Sequence, residues 1–336
     1  MLKTGVQPTM RDIAQKAGVS VSTVSRVLNH KKTVSPELRD RVLTEAEGLG
    51  YSLNRAARSL RSGRTNLVGL VIPDITTPFF AEIARIVGRA LGNADLSLLL
   101  CDSDEDPEIE RRHLENLEER RVEGLLISPS SDAQIRYYEE IAARGIPVVL
   151  VDRLSSRKLD SVRTDNIAGT FQLVAHLISR GYHSFGIVAG RDDILSGRER
   201  MQGFKAACRA LNIPDESVVC ENGLMTSQGG YQATKRIMKR QPRPRAIFVA
   251  TSVMGIGALR ALKELGCQIP QDVALAMFDD TSLADLVSPP ITVISQRIES
   301  IGQIAAQMLL ERMKGNTSKK GREVLVQPSL IVRQST

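Results

Sequence analysis

The chain has 336 residues, 42% of them apolar and 25% charged, with a net charge of +7. That length exceeds one compact core and predicts two or three folding units, while the ordinary composition excludes collagen-like and disordered classes. No apolar run approaches the ~20 residues of a bilayer span, and residues 1–9 hold no signal-peptide core.

The four cysteines (Cys101, Cys208, Cys220, Cys267) are too scattered for a disulfide framework or a zinc site. A cytoplasmic protein without metal, cofactor or membrane partner is expected. The excess charge sits at one end. Residues 1–64 hold 12 Lys and Arg against five acids, and the remaining 33 bases balance 33 acids. A basic head on a neutral body points to nucleic acid as a partner.

Thr9-Met10-Arg11-Asp12 reads as a helix start, a Thr cap with an acid three residues on. Ile13, Ala14 and Ala17 form its apolar side, and Gly18 supplies the positive φ of a tight turn. Ser20 then caps a second helix, Val21 to Asn29, completing a helix-turn-helix.

In that second helix Val24, Val27 and Leu28 face the first. Val21, Ser22, Ser25 and Arg26 are left outside, at the end that enters a major groove. Val21 suits a thymine methyl, Ser22 a base edge and Arg26 a guanine fork. Thr9, Ser25 and Asn29 suit phosphates. A solvated helix face is the plain alternative for any one of them.

A third helix opens at Ser35-Pro36-Glu37 and carries Leu38, Val42, Ala46 and Leu49 before Gly50. Next, Asn54 can cap a short helix from Arg55 to about Leu60. Too short to persist alone in water, it is either a conditional hinge or a flexible tether with Leu60 resting on the body.

From Asn66 onward, apolar runs alternate with helical patterns. The runs are Leu67–Ile72, Leu96–Cys101, Gly124–Ile127, Val148–Val151, Phe185–Val188, Ala246–Ala250, Val273–Phe278 and Thr292–Ser295. Helical periods lie at Phe79–Leu91, Arg111–Arg121, Ala168–Arg180 and Met254–Leu265. The fold class is α/β: a small all-α head, then parallel sheets in two lobes.

Expected boundaries are 1–62 for the DNA-binding head with its hinge at 54–62, and 66–336 for the effector-binding body, to which the family resemblance given below adds dimerisation. One lobe takes about 66–165 with 297–325, the other about 166–296 with 326–336. Ligands of open parallel sheets sit beyond the strands' carboxyl ends. That rule nominates Thr77, Phe79, Phe80, Asp152, Arg153, Arg200, Thr251, Asp279 and Gln296, with Asp74, Thr76, Arg198, Ser252 and Asp280 beside them. Aromatic rings, charged forks and carboxylates suit a polyhydroxylated ligand, although core packing for the Phe pair and helix capping for the acids are alternatives. The acids at 102, 104, 105, 106 and 108 read as a helix start rather than a metal site.

The run from Thr9 to Ser20, with Ser25-Arg26-Val27-Leu28-Asn29, Tyr51 and the segment Asn54 to Leu60, resembles the head of lactose-repressor/galactose-repressor family regulators. Thr77-Pro78-Phe79-Phe80, Asp152-Arg153, Arg200 within residues 197–204, Phe278-Asp279-Asp280 and Gln296 resemble the cleft of that family's periplasmic sugar-binding fold. The resemblance covers essentially the whole chain.

It implies a repressor that binds pseudo-palindromic double-stranded operator DNA as a homodimer, the absence of a leucine-heptad tail after residue 336 favouring dimers. It also implies that the hinge folds on DNA with Leu60 as a minor-groove wedge, and that a small sugar-like effector shifts the lobe angle. Two departures stand out: Thr251-Ser252 replaces the family's usual Asn-Asp, and Thr77 stands where sugar binders often have Asn. A smaller or anionic ligand, such as a sugar acid met by Arg153 and Arg200, is therefore expected. Control by a protein corepressor is the alternative. A solute-binding protein lacks such a head, and an enzyme would need a glycine-rich loop or nucleophile elbow where only Gly255-x-Gly257 stands.

Overall fold

A computed structural model describes residues 8–28, 34–50, 64–315 and 320–336, which divide into two units between Thr65 and Asn66. In the first unit, α1 (Met10–Ala17) begins with the Thr9 N–H and hydroxyl both donating to Asp12 Oδ2 at 2.7 Å. These bonds hold the Asp12 carboxyl below its usual range. Gly18 takes φ 64°, and the Val19 N–H returns to the Ala14 carbonyl at 3.0 Å.

The second helix, α2 (Val21–Leu28), follows at once, with Ser20 Oγ accepting from the Thr23 N–H at 3.1 Å. Ser35 caps α3 (Pro36–Gly48) through the Leu38 N–H at 3.4 Å. Ile13, Ala14, Ala17, Val24, Val27, Leu28, Val42 and Ala46 make the shared core. So small a core leaves the unit marginal on its own.

The second unit holds two six-stranded sheets of matching order. The first runs β11 (Glu323–Val326), β5 (Asp160–Thr164), β4 (Val148–Val151), β3 (Gly124–Ile127), β1 (Leu67–Ile72), β2 (Ser97–Asp102). The second runs β12 (Ser329–Ile331), β10 (Thr292–Ser295), β9 (Ala274–Phe278), β8 (Ala246–Val249), β6 (Phe185–Ala189), β7 (Val218–Asn222). Neighbours are parallel except β12 against β10. The chain passes between sheets after β5, after β10 and after β11, which defines lobe 1 around the first sheet and lobe 2 around the second.

In lobe 1, Val68, Leu70 and Ile72 face α4 (Pro78–Gly92) and α12 (Ile298–Met313). Val71 faces the other way, toward α5 (Pro107–Glu119) and α6 (Ile135–Ala143), as the strand period of two requires. In lobe 2, α7 (Asn166–Ser179), α8 (Leu195–Ala210), α9 (Ser227–Met238) and α10 (Ser252–Glu264) enclose one core, with α11 (Ser282–Leu286) at its margin. Gly257 serves that packing: a Cβ there would stand 1.9 Å from the Ser227 carbonyl oxygen, so α9 and α10 could not approach as they do. Its glycine pair is a helix-packing device rather than a phosphate loop.

The apolar runs read from the sequence match β1, β3, β4 and β10 at both ends, and β2, β6, β8 and β9 within one residue. The polar strand β5 was not among them. It reads Asp-Ser-Val-Arg-Thr, yet all five residues are buried. Ion pairs make this tolerable. Asp160 accepts from Arg312 at 2.6 and 3.0 Å and from the Arg322 side chain at 2.7 Å and its N–H at 2.9 Å. Burial pushes the Asp160 carboxyl up, but those hydrogen bonds outweigh it and hold it at about 2.

The ordinary value for such a carboxyl is 3.8, and a tenfold change in acidity is worth about 1.4 kcal/mol. The pairing therefore contributes on the order of 2 kcal/mol above roughly pH 4, lost as pH falls toward roughly 2. Asp160→Asn should lower the stability of the body by about that amount in denaturant titrations at pH 7. The gap between wild type and variant should narrow between roughly pH 4 and pH 2; a constant gap would mean the carboxylate is not the source.

Candidate functional site

On α2 the helical period separates two faces. Val24, Val27 and Leu28 are buried, while Val21, Ser22 and Arg26 are exposed and Ser25 is half-buried. Positions i, i+1, i+4 and i+5 lie side by side on a helix, so these four residues form one outward strip. The Ser22 hydroxyl is 2.7 Å from that of Ser20 at the helix start. Thr9 is exposed at the start of α1, its hydroxyl engaged by Asp12. Asn29, Asn54, Arg55 and Leu60 lie outside the described residues.

In the body, a cavity of about 290 Å³ opens between the lobes, and Thr77, Phe79, Phe80, Asp152, Arg153, Arg200, Thr251, Asp279 and Gln296 all line it. Thr77 stands at the N-terminus of α4 with its hydroxyl donating to Asp74 at 2.9 Å. Burial raises the Asp74 carboxyl, but bonds from Thr76 and Thr77 outweigh it and keep it below its usual range. Phe79 and Phe80 meet edge to face with centroids 5.1 Å apart. They are 6% and 3% exposed, so the core of lobe 1 takes most of each ring and only an edge reaches the cavity.

Two aspartates occupy corresponding places. Asp152 follows β4 with φ 67° and Asp279 follows β9 with φ 75°. Each backbone N–H donates to the neighbouring strand, Val162 and Ile294 respectively, at 2.9 Å. The left-handed turn, which Asp tolerates better than most residues, swings both carboxylates into the cavity. Asp152 is 4% exposed, and its Oδ1 has no hydrogen-bond partner among the described residues. Burial pushes its pKa up; Arg200 and Arg153 oppose that, while Asp279 and Glu199 add to it.

Both cavity arginines are held by protein acceptors. Arg153 forks onto Glu105 at 2.7 and 2.8 Å, over the Phe80 ring. Arg200 lies over the Phe278 ring at 3.7 Å. It donates to Asn166 Oδ1 at 2.9 Å and to the Ala250 carbonyl at 2.6 Å, with Asp279 3.7 Å away. Both guanidiniums thus have protein acceptors, and five carboxylates (74, 104, 105, 152, 279) line the same space.

Behind Arg200, Asn166 donates to Glu199 at 3.1 Å, and Arg163 bridges Glu199 at 2.7 Å and Glu323 at 2.8 Å. Gln296 donates to Asp279 at 2.6 Å and accepts from the Thr164 hydroxyl. Thr251 accepts from the Met254 N–H at 3.3 Å as the cap of α10.

Some nominated neighbours turn elsewhere. Asp280 pairs with Arg333 at 3.0 Å and Arg198 pairs with Asp132, and none of the four lines this cavity. Asp106 caps α5, accepting from the Glu108 N–H at 2.7 Å. Asp104, Glu105, Ser196, Met225, Thr226, Ser227 and Val253 also line the cavity and were not read from the sequence as site residues. Asp104 and Glu105 lie two and three residues past β2, and Met225 lies three past β7. The strand-end rule would have found the latter had β7, a short edge strand, been recognised.

A helix-turn-helix unit on the same chain as a two-lobed body with an interlobe cavity defines a ligand-responsive DNA-binding regulator. Residues 9–54 match the group described as "Bacterial regulatory proteins, lacI family", and residues 174–336 match "Periplasmic binding protein-like domain". The chain is 32% identical over 336 residues to the ribose operon repressor of Escherichia coli (strain K12), covering 97% of this chain and 99% of that one.

Its fold matches the lac repressor dimer bound to operator and the anti-inducer ONPF, with TM-score 0.88, 27% identity, and 98% and 99% of the two chains covered. It also matches the CelR–cellobiose complex, with TM-score 0.72, 31% identity, and 98% and 100% covered. The chain belongs to the lacI family of bacterial regulatory proteins. It is a DNA-binding transcriptional repressor with a ligand-binding body, not an enzyme. No helix among the described residues is long and apolar enough to cross a membrane.

Besides the Arg163–Glu199 pair, further direct ties between the lobes run through Asp132 and Arg191. Asp132 accepts from Arg198 and from the Leu195 N–H at 3.3 Å, and its own N–H donates to the Asp193 carbonyl at 3.3 Å. Arg191 reaches Glu105 at 3.4 Å. The Arg198 pair is partly exposed, so Arg198→Ala should weaken this tie by less than about 1 kcal/mol. Asp132→Ala removes two lobe 2 bonds and should raise amide exchange over residues 191–198 further, by roughly tenfold. Equal exchange in the two variants would show that the Asp132 carboxylate is not the tie.

Proposed function

We propose that this repressor binds a pseudo-palindromic operator as a homodimer and that a small, hydroxyl-rich effector in the interlobe cavity sets its operator affinity. The observation that carries this reading is the pairing, on one chain, of an outward Val21–Ser22–Ser25–Arg26 strip with a polar cavity reached from both lobes. A cavity of about 290 Å³ lies at the small end of ligand pockets, about 300–1,000 Å³, which suits a molecule of monosaccharide size.

Asp152, Asp279 and Gln296 offer acceptors and donors for hydroxyls, and phenyl edges offer an apolar wall. The relative solved with cellobiose supports the sugar-like class. A sugar acid is disfavoured because Arg153 and Arg200 are already bonded to protein acceptors. A protein corepressor has no use for a small cavity between the lobes.

The reading on the DNA side gives Val21, Ser22 and Arg26 the base edges, and Thr9, Ser25 and Asn29 the phosphates. Asn54 and Arg55 begin a hinge helix that folds on DNA, with Leu60 as its wedge. The effector biases the lobe angle and through it the two hinges of the dimer.

Selection of binding sites from random DNA, with and without a panel of pentoses and hexoses, tests the whole reading. The expected outcome is a palindromic site whose recovery changes with one sugar. On that site, Arg26→Ala should cost about 1–3 kcal/mol and relax one base position. Leu60→Ala should weaken binding while leaving the melting temperature of the body unchanged. Wild-type affinity should fall steeply with salt. Asymmetric sites, salt-indifferent binding or unaltered affinity of Leu60→Ala would remove the corresponding assignment.

A further inference from the structure

The cavity holds more negative charge than its protein partners answer. Five carboxylates line it, against the guanidiniums of Arg153 and Arg200. Glu105 takes Arg153 in a two-pronged pair, and Arg200 is shared among Asn166, Ala250 and Asp279. Arg191, the next cation along, is held by Asp193 at 2.6 Å. Asp74 is satisfied by the hydroxyls of Thr76 and Thr77, which carry no charge. Asp104 makes no side-chain bond among the described residues.

Asp152 is the telling group. It is 96% buried, its Oδ1 is unpartnered, and its Oδ2 stands 3.9 Å from Arg153, a guanidinium already committed to Glu105. A buried carboxylate oxygen without a donor is costly, and the residue that carries it lines the cavity.

The helix N-termini at the cavity pull the other way. Those of α4, α8, α9 and α10 contribute Thr77, Ser196, Thr226 with Ser227, and Thr251 to the lining. At about half a positive charge each, they offset about two of the three surplus carboxylates. One negative charge is left if every carboxyl is ionised, and it falls on Asp152, whose charged form burial disfavours and a neighbouring cation would favour.

We propose that the effector is a monocation: a small hydroxylated molecule carrying one amine, whose ammonium pairs with the Asp152 carboxylate. This deepens the reading of a hydroxyl-rich effector and rests on it. The hydroxyls meet Asp279, Gln296 and Arg200, and the ammonium supplies the charge that Asp152 lacks. A neutral sugar would satisfy the hydrogen bond but leave the charge, and an acid would add to the surplus.

The test compares matched molecules on the full chain at pH 7. D-glucosamine, D-glucose and D-glucuronate form one series, the corresponding galactose compounds a second, and Tris with its neutral isostere pentaerythritol a third. Binding is read by calorimetry and by thermal shift. In at least one series the amine should bind tenfold or more tightly than its neutral partner, and the acid weakest of all.

In Asp152→Asn, which keeps the shape, that preference should shrink to within about threefold. Should that variant fail to fold, Asp104→Asn, at an exposed site, should narrow the preference by about twofold. A neutral or acidic member binding as tightly as its amine overturns the proposal, as does absence of binding by every amine. Equal protection by magnesium or calcium alone also overturns it. If a neutral sugar binds and shifts operator affinity, the effector reading stands and only the charge inference falls. If operator affinity ignores every small molecule tested, both fall.

Discussion

Arg163 and Glu199 form the ion pair on which the geometry of the body turns. Arg163 lies on β5, just before the first crossing between lobes, and Glu199 lies on α8 in the second lobe. Glu323 holds the other side of Arg163 from β11, which precedes the last crossing. Asn166, at the start of α7, joins Glu199 to Arg200, and Gln296, at the middle crossing, joins Thr164 to Asp279. All three passages between lobes are thereby tied to side chains that reach the cavity. Buried pairs of this kind seldom add net stability, because desolvation consumes most of the Coulomb gain. Their effect here is orientation: Arg200 is held to the first crossing through Asn166.

The matching strand order of the two sheets explains why the site has carboxylates on both walls. β4 and β9 hold the same place in their sheets, and each ends in a left-handed Asp whose N–H bonds the next strand. β2 and β7 also correspond, and each is followed by two non-glycine residues with positive φ: Asp104 and Glu105, Leu224 and Met225. Strained backbone of this kind persists where surrounding structure over-determines it. In this body it concentrates at strand ends that face the cavity.

The apolar strands were legible because burial on both faces demands continuous Val, Ile and Leu. The helix-turn-helix was legible because Gly18, Ser20 and the Thr9–Asp12 pair state their geometry locally. β5 was not legible, since its burial depends on Arg312 and Arg322, more than 150 residues away. The edge strand β7 carried too little apolar pattern to stand out, and Thr226 and Ser227 went with it. The nine nominated residues do meet in one cavity, because the strand-end rule depends on sheet topology, which alternation of elements reveals. Partnering was beyond it. Nothing in the local sequence says that Arg153 belongs to Glu105 or that Arg200 belongs to Asn166 and the Ala250 carbonyl.

The proposed control of operator affinity sets a limit on what the cavity must deliver. A ligand shifts an equilibrium only by its differential affinity for the two states, and a hundredfold change requires about 2.7 kcal/mol. One hydrogen bond to a charged group contributes about 1.5–3 kcal/mol. A single contact made in one lobe arrangement and lost in the other would therefore suffice, provided the lobes move as bodies. The ties at Arg163, Asn166 and Gln296 supply that condition. They connect Arg200 and Asp279 to the crossing strands by hydrogen bonds, the route by which a displacement at the cavity would reach them.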